Sequence, residues 1–254
     1  NTELREALAA GTLRIEDVNH SLLRVVYRLL FTFVAEDRGL LLAPDADHVA
    51  KSRYHDYFST DRLRRVARRR RGTRHADLWR ALNVVWDGLG SVGGRPELGL
   101  VGIGGLFDFG EFDLFRECEL SNESLLRAVR YLSLVEEPGS KMKRIVDYRN
   151  LGAEELGSIY EALLEYVPSW DAGRRQYELL TAAGNERKST GTYYTPSSLI
   201  ESLLDSALDP VLDRAERESD PEAALLDVTV CDPACGSGHF LVAAARRIAK
   251  RVAG

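Results

Sequence analysis

The sequence predicts a mainly α-helical protein in which a small α/β segment follows a helical N-terminal domain. Apolar residues recur at helical spacing over residues 22–42, 78–89 and 122–135. Near the C-terminus, the β-branched run 228–230 leads through a glycine-bearing turn into a second helical pattern. A strand, a glycine turn and a helix in this order are typical of the ligand-binding edge of an open α/β sheet.

The composition indicates a globular protein of a reducing compartment. With 254 residues, 44% of them apolar, the chain has room for one large or two ordinary domains. The sequence has only three cysteines, which argues against a disulfide framework, so we expect a cytoplasmic protein. The most apolar run, residues 29–34, is short and flanked by charges, and no secretory signal precedes it. We therefore expect no membrane association.

The helical pattern divides the chain into three parts. We predict a helical N-terminal domain over residues 1–140, a connector over 141–186, and the beginning of an α/β domain over 187–254. In the connector, residues 154–166 are expected to form an amphipathic helix that Pro168 closes. The chain begins with Asn1 and stops sixteen residues after Gly238, so both ends are expected to be cuts in a longer protein.

A basic stripe interrupts the first domain. Eight arginines and no acidic residue lie between Arg62 and Arg74, and the centre of the stripe is Arg68, Arg69, Arg70 and Arg71. Arginine binds phosphates bidentately, which makes this stripe a candidate DNA contact. The chain carries a net charge of −5, and −13 without these eight charges, so attraction to DNA would be local. The alternative is a solvated helix face or loop.

The charged cluster Glu36, Asp37 and Arg38 has two interpretations. It could be a functional turn, or it could supply caps and local ion pairs at the end of a helix. On physical grounds the second interpretation is favoured.

Two apparent metal sites are rejected. Asp171 with Glu186 and Lys188 has the rough spacing of a magnesium-dependent nuclease, but residues 177–185 do not look like the strand that such a site needs. The other is the zinc-like set Cys231, Cys235 and His239, whose spacing fits neither a finger nor a helix face. We expect no metal.

The glycine turn has the sequence DPACGSGHFL, residues 232–241. A dinucleotide fingerprint would place a third glycine where Leu241 stands, and a P-loop would require Gly-Lys-Ser/Thr, so both are excluded. The string closely resembles the S-adenosylmethionine loop of DNA N6-adenine methyltransferases. The alternative is an ordinary strand-to-helix turn that required glycines.

A second motif precedes the loop. GTYYTP, residues 191–196, lies about forty residues upstream of the loop, which resembles the order of the first two motifs in these methyltransferases. Independently of the resemblance, Thr195 is placed to cap a helix whose first position is Pro196. Residues 148–165 are similar to the segment ahead of the core in large restriction-modification and phage-defence adenine methyltransferases, including fused type II and BREX-like enzymes.

The resemblance implies the start of a class I, Rossmann-like methyltransferase domain and a set of cofactor contacts. The GTYYTP motif would line the methionine end of S-adenosyl-L-methionine through Thr192, Tyr193, Tyr194, Thr195 and Pro196. The loop would lie under its amino acid moiety through Asp232, Pro233, Ala234, Gly236, Ser237 and Gly238, followed by Phe240. Backbone N–H groups near the glycines would meet the carboxylate, and Asp232 would accept from the ammonium group.

The reaction implied is methyl transfer to adenine N6 of a flipped base in double-stranded DNA. The family uses an N/D-P-P-Y/F tetrad for this step, and the sequence does not contain it, since Asp220-Pro221, for example, is followed by Glu222. No catalytic residue is therefore assigned. We expect the parent protein to be an enzyme, and one form of this hypothesis has it fused to an endonuclease. Subunits of a defence system are expected as further partners. These 254 residues alone should not methylate DNA and should bind the cofactor weakly or not at all.

One alternative belongs to a different class of function. The chain could be a non-catalytic, helical DNA-binding or subunit-docking module that carries a methyltransferase-like remnant for structural reasons only.

Overall fold

The computed structural model describes residues 2–108, 110, 113–116, 118–137, 139, 142–164, 166–181, 195–235 and 238–254. These residues form two compact units. The first consists of Asn1–Leu151 and Val167–Leu180, and the second of Gly152–Tyr166 and Thr181–Gly254. The prediction of a mainly α-helical chain is confirmed.

The first unit is a helical assembly with two small sheets. A π-helical turn, Tyr54–Phe58, continues its third helix, and antiparallel β1 and β2 pair Leu134 with Ile145. The second sheet joins β3 and β4. In chain order, the elements are α1 (Thr2–Ala9), α2 (Ile15–Asp37), α3 (His48–Arg53), α4 (Thr60–Arg69), α5 (Asp77–Gly90), α6 (Asn122–Ser133), β1 (Leu134–Glu136), β2 (Lys143–Ile145), β3 (Tyr166–Asp171) and β4 (Gln176–Thr181).

The second unit contains α7 (Ala153–Leu164), α8 (Ser197–Ala207), α9 (Asp209–Ala215), α10 (Pro221–Leu226) and α11 (His239–Val252). Its core includes Ile200, Leu204, Leu212 and Ala244. The strand predicted over 228–230 is irregular backbone instead. Within the described residues, both sheets lie elsewhere in the chain, so this segment has no strand to complete a ladder. The Rossmann-like sheet is therefore not observed here.

Two predicted helix ends are wrong by a few residues. α7 ends at Leu164, and Pro168 lies inside β3, where the edge of a two-stranded sheet tolerates a residue without an N–H. α8 begins at Ser197, with Pro196 at the N-cap and no side-chain cap bond, so Thr195 does not cap it. The ψ of Pro196 is 141°, an extended value that moves the first helical residue one position along the chain.

Residues 177–181 form most of β4, so the statement that this region is not strand-like is wrong. Aromatic Tyr177 and β-branched Thr181 suit a strand better than the sequence pattern suggested. Asp171, at the end of β3, accepts the backbone N–H groups of Gly173 and Arg174 at 2.9 and 3.0 Å and thereby stabilises the turn. Glu186 and Lys188 lie outside the described residues.

Residues 36–38, which we call the α2 end cluster, contact distant parts of the first unit. The carboxylate of Glu36 accepts the backbone N–H groups of Thr60 at 2.7 Å and Asp61 at 2.5 Å. It therefore caps the first turn of α4, where a negative charge also complements the helix dipole. The Tyr54 hydroxyl donates to the same carboxylate, and burial raises the pKa of Tyr54 well above its usual range.

Asp37 binds a buried arginine of α4. Its carboxylate pairs bidentately with Arg64, and the Arg64 side chain is only 6% exposed. The guanidinium lies 5.0 Å from the ring centre of Phe33 and 5.5 Å from that of Tyr148. Tyr148 donates to the carbonyl of Leu132 at 2.6 Å, and burial raises the pKa of Tyr148 to about 12.

Arg38 completes the cluster by donating to the carbonyls of Arg149 and Leu151 at 3.0 and 2.8 Å, while Arg149 donates back to the carbonyl of Asp37 at 2.9 Å. The predicted caps at the end of α2 are not what the cluster supplies, because Glu36 caps the start of α4 instead. The prediction of local ion pairing is wrong, because each side chain binds a segment far away in the sequence.

A second buried ion pair lies on the same helix. Arg28 of α2 binds Asp113 through two bonds of 2.8 Å, and donates to the carbonyl of Leu106 at 3.0 Å. Its guanidinium lies 5.6 Å from the ring centre of buried Trp86. Through these bonds, α2 anchors the irregular segment that follows α5.

In the described part of the chain, none of the helices has the length and apolar character needed to cross a membrane.

Asp37→Ala should lower the free energy of unfolding of the first unit by about 3 kcal/mol, because the buried Arg64 guanidinium would lose its carboxylate. Urea unfolding followed by tryptophan fluorescence measures this, since all three tryptophans, Trp79, Trp86 and Trp170, belong to this unit. Glu136→Ala is the control. It removes an exposed carboxylate 3.1 Å from Lys143 and should cost below about 0.5 kcal/mol. Equal costs would contradict the role assigned to Asp37.

Candidate functional site

The glycine turn of the second unit is described at residues 231–235 and 238. Asp232 accepts the backbone N–H of Ala234 at 2.9 Å, and Gly238 donates its N–H to the carbonyl of Cys235 at 2.7 Å. Gly238 has φ +78° and ψ 14°, which is left-handed backbone that favours glycine. A Cβ at this position would meet no atom within 4 Å, so the requirement is conformational rather than steric.

Gly238 is also the N-cap of α11 and, as a glycine, has no side chain that could cap the helix. The first N–H groups of an α-helix have no intrahelical partner, and they lie at the positive end of the helix dipole. The start of α11 therefore offers hydrogen-bond donors to an anionic group.

The packing of α8 against α11 brings the starts of these two helices to one cleft. Ile200 and Leu204 of α8 share the core of the second unit with Ala244 of α11. Thr195 and Pro196, both exposed, directly precede α8, as Gly238 directly precedes α11. Both helices begin at a cleft of about 270 Å³. Its lining consists of Gly152, Glu155, Ser197, Ile200, Glu201, His239, Val242, Ala243 and Arg246.

The predicted site residues that the structure describes lie close to this cleft in sequence, but none of them is among the residues that line it. Asp232 is half-buried, whereas Pro233 and Ala234 are exposed. Phe240 packs against the core of the unit. Thr192, Tyr193, Tyr194, Gly236 and Ser237 lie outside the described residues, and the cofactor contacts of the whole set remain a prediction.

Sequence reasoning missed the lining residues contributed by the helices themselves. Glu155 accepts the backbone N–H of Gly152 at 2.8 Å and so stabilises the start of α7. His239 and Arg246 bring cationic or polar groups to the cleft, and Glu201 brings a carboxylate. A signal was available only for His239, since a residue at a helix start is close to any ligand bound there, whereas helix packing brings Arg246 and Glu201 to the cleft.

Ion pairs fix α11 against its neighbours. Arg247 binds Asp209 at 3.1 Å as well as Glu201 and Asp205, and the bond to Asp205 raises the pKa of Arg247. One turn later, Arg251 forms ion pairs with Asp213 at 2.9 Å and Glu216 at 3.0 Å. These pairs join the C-terminal half of α11 to α8, α9 and the residue that follows α9.

The chemistry of the donor set fits the amino acid end of S-adenosylmethionine. A carboxylate would bind the N–H groups at the start of α11, and an ammonium group would bind Asp232, whose oxygens retain acceptor capacity beside the bond from Ala234. In the described residues, no group of three or more His, Cys, Asp or Glu side chains is arranged to hold a metal ion.

The arginine stripe is divided by the structure. Arg64 is buried against Asp37, and Arg65 lies 3.3 Å from Asp61. Arg68 is half-buried, whereas Arg69, Arg70 and Arg71 are exposed, as is Arg74. Only part of the stripe is therefore available on the surface, and its contact with DNA remains a prediction.

Comparison with known proteins agrees with the geometry of the second unit. Residues 153–253 match the family model described as N-6 DNA Methylase, and this range contains both sequence motifs and all of the residues that line the cleft except Gly152. No curated protein and no solved structure matches the chain. The match supports an N6-adenine DNA methyltransferase family for this part of the chain. Members of that family are transferases that act on DNA and generally use S-adenosylmethionine.

Proposed function

We propose that this chain is part of a site-specific DNA adenine-N6 methyltransferase of a restriction-modification or phage-defence system, acting on double-stranded DNA in the cytoplasm. The second unit supplies the cofactor-binding part, and the first unit is a helical scaffold that contacts DNA or other subunits. One observation carries the proposal. The helices that follow the two motifs, α8 and α11, begin at one cleft inside the region that matches the methylase family.

The amino acid end of the cofactor is zwitterionic, and the cleft presents both signs of charge. Arg246 in the cleft and the start of α11 suit the carboxylate. Asp232 does not line the cleft, but it lies in the turn that leads into α11 and suits the ammonium group. Glu201 adds a further carboxylate at the α8 side, although Arg247 already binds it. When bound, S-adenosylmethionine supplies a methyl group activated by its sulfonium charge.

The two motifs have different tasks in this proposal. The left-handed backbone of Gly238 turns the chain into α11 without a side chain over the helix start, so the ligand can approach the N–H groups closely. Thr192, Tyr193, Tyr194, Thr195 and Pro196 provide the other wall, beside the methionine portion. Phe240 packs against the core of the second unit and so supports the first turn of α11.

These residues hold the cofactor, but they do not perform the transfer. An adenine methyltransferase needs acceptors for the amino group of the flipped base and an aromatic ring to stack on it. The tetrad that supplies them is not in the 254 residues. That feature favours the second candidate, a non-catalytic helical docking module with a methyltransferase-like remnant, and cofactor binding distinguishes the two.

Saturation-transfer NMR with S-adenosylmethionine should detect binding with a dissociation constant on the order of 1 mM, about −4 kcal/mol. Asp232→Ala should reduce the transferred signal at least about fivefold, because the ammonium group loses a charged acceptor worth roughly 1.5 to 3 kcal/mol. Asp227→Ala removes the same charge from an exposed position of the same unit and should leave the signal unchanged. Absence of a transferred signal from the wild type would favour the docking module, and equal signals from the wild type and Asp232→Ala would contradict the role of Asp232.

Methylation by the chain alone should be absent. With tritiated cofactor and double-stranded DNA, incorporation of label should not exceed that of a reaction without protein, because the amino group of adenine has no acceptor to hold it. Tritium in adenine that disappears in Asp232→Ala would contradict this expectation and would place the catalytic step within these residues.

A further inference from the structure

A cationic loop follows α4 in the first unit. We call residues 69–74, which are the last residue of α4 and the five residues after it, the arginine loop. Four arginines are exposed in it, Arg69, Arg70, Arg71 and Arg74. In the described part of the chain, none of these four side chains forms an ion pair with a carboxylate. The loop therefore differs from Arg64 and Arg65, whose charges are matched by Asp37 and Asp61.

The backbone of the loop is held firmly although its side chains are exposed. The first N–H groups of α6, those of Asn122 and Glu123, donate to the carbonyls of His75 at 2.6 Å and Thr73 at 3.0 Å. Beside them lies Gly72, with φ +93°, where a Cβ would be only 2.6 Å from backbone atoms of Asn122 and Glu123. Only glycine allows this close approach to the start of α6.

Arg130 of α6 fixes the other end of the loop. It donates to the carbonyl of Ala67 at 2.6 Å and also to the carbonyl of Arg70. The last carbonyls of α4 are thereby satisfied by a cation, as the helix dipole favours. The guanidinium groups of the loop consequently extend from a backbone anchored on both sides.

The charges around the loop reinforce its positive character. Arg127 is exposed on α6, one turn before Arg130, and Arg68 is half-buried beside the loop. The nearby acidic groups are Glu123, which is exposed, and Asp77, whose carboxylate accepts the amide of Asn122 at 2.8 Å. Consecutive like charges repel one another, and a chain with net charge −5 has no need of them for solubility.

Guanidinium groups on a fixed backbone suit phosphate oxygens, which they bind bidentately. No aromatic residue lies among residues 62–74, so the loop offers no platform for stacking unpaired bases. Phosphate contacts of this kind position a duplex without reading its sequence. We propose that the arginine loop binds the phosphate backbone of double-stranded DNA and so gives the first unit a sequence-independent hold on the substrate. The choice of DNA among polyanions rests on the proposed function.

Fluorescence anisotropy of the complete 254-residue chain with a labelled duplex of about 25 base pairs tests this proposal, without cofactor and between about 50 and 200 mM salt. Replacing Arg69, Arg70 and Arg71 with serine should weaken binding at least roughly tenfold near ~0.1 M salt. The slope of log K against log salt should become shallower by up to about 2.7, or about 0.9 for each phosphate that the variant no longer neutralises. Lysine at the same positions should largely preserve binding, because the charges remain.

The matched control is the triple variant Arg5→Ser, Arg144→Ser, Arg175→Ser, which removes three exposed charges elsewhere in the same unit. Its affinity should stay within about twofold of the wild type, since counterion release depends only on the arginines that neutralise phosphates. Equal losses of affinity in the two triple variants would contradict the proposal, as would an unchanged affinity of the loop variant. Tryptophan fluorescence verifies that both variants are folded.

Other polyanions provide the remaining outcomes. If the loop variant loses binding to vesicles containing phosphatidylserine while its duplex affinity is unchanged, the loop is a membrane contact and the proposal is wrong. The DNA result is also separable from the proposed function. Loss of duplex binding in a chain that does not bind S-adenosylmethionine would support the loop and contradict the cofactor site alone, and the opposite pair of results would contradict the loop alone.

Discussion

The contact between the end of α2 and the start of α4 determines much of the first unit. Glu36 caps α4 and Asp37 neutralises its buried Arg64, so the helix is fixed both at its backbone and by a side chain. Because α4 leads directly into the arginine loop, the same contact determines where that loop lies. It also removes Arg64 from the surface, which separates one structural arginine from those available to a ligand. A buried ion pair is expensive to break, so this arrangement resists local change.

The second unit uses charge in a different way. Arg247 and Arg251 are partly exposed, and each binds several carboxylates of α8, α9 or the residues after α9. Together with the apolar contact of Ile200 and Leu204 with Ala244, these pairs align α8 with α11. An anion site at a helix start works only if neighbouring groups are correctly placed, since isolated N–H donors bind weakly in water. The cleft follows from this alignment.

The sequence predicted the helices and the glycine turn well, because helical spacing and left-handed glycine are encoded within a few residues. Gly238 and α11 are examples. Prediction from the sequence failed where the local structure depends on residues that are distant in the chain. The strand over 228–230 has no neighbour in the described part of the chain, and Glu36, Asp37 and Arg38 bind segments that no spacing identifies. The cleft lining was missed for the same reason, since helix packing rather than the motif brings Arg246 and Glu201 to it.

The most direct test is photochemical cross-linking of tritiated S-adenosylmethionine to the chain, followed by identification of the labelled peptides. The cofactor site described above predicts label on the peptides that contain Tyr194 or His239, with competition by unlabelled cofactor. Aromatic side chains beside the bound ligand would capture it. Label confined to peptides of the first unit, or label that unlabelled cofactor does not displace, would contradict a cofactor site between α8 and α11.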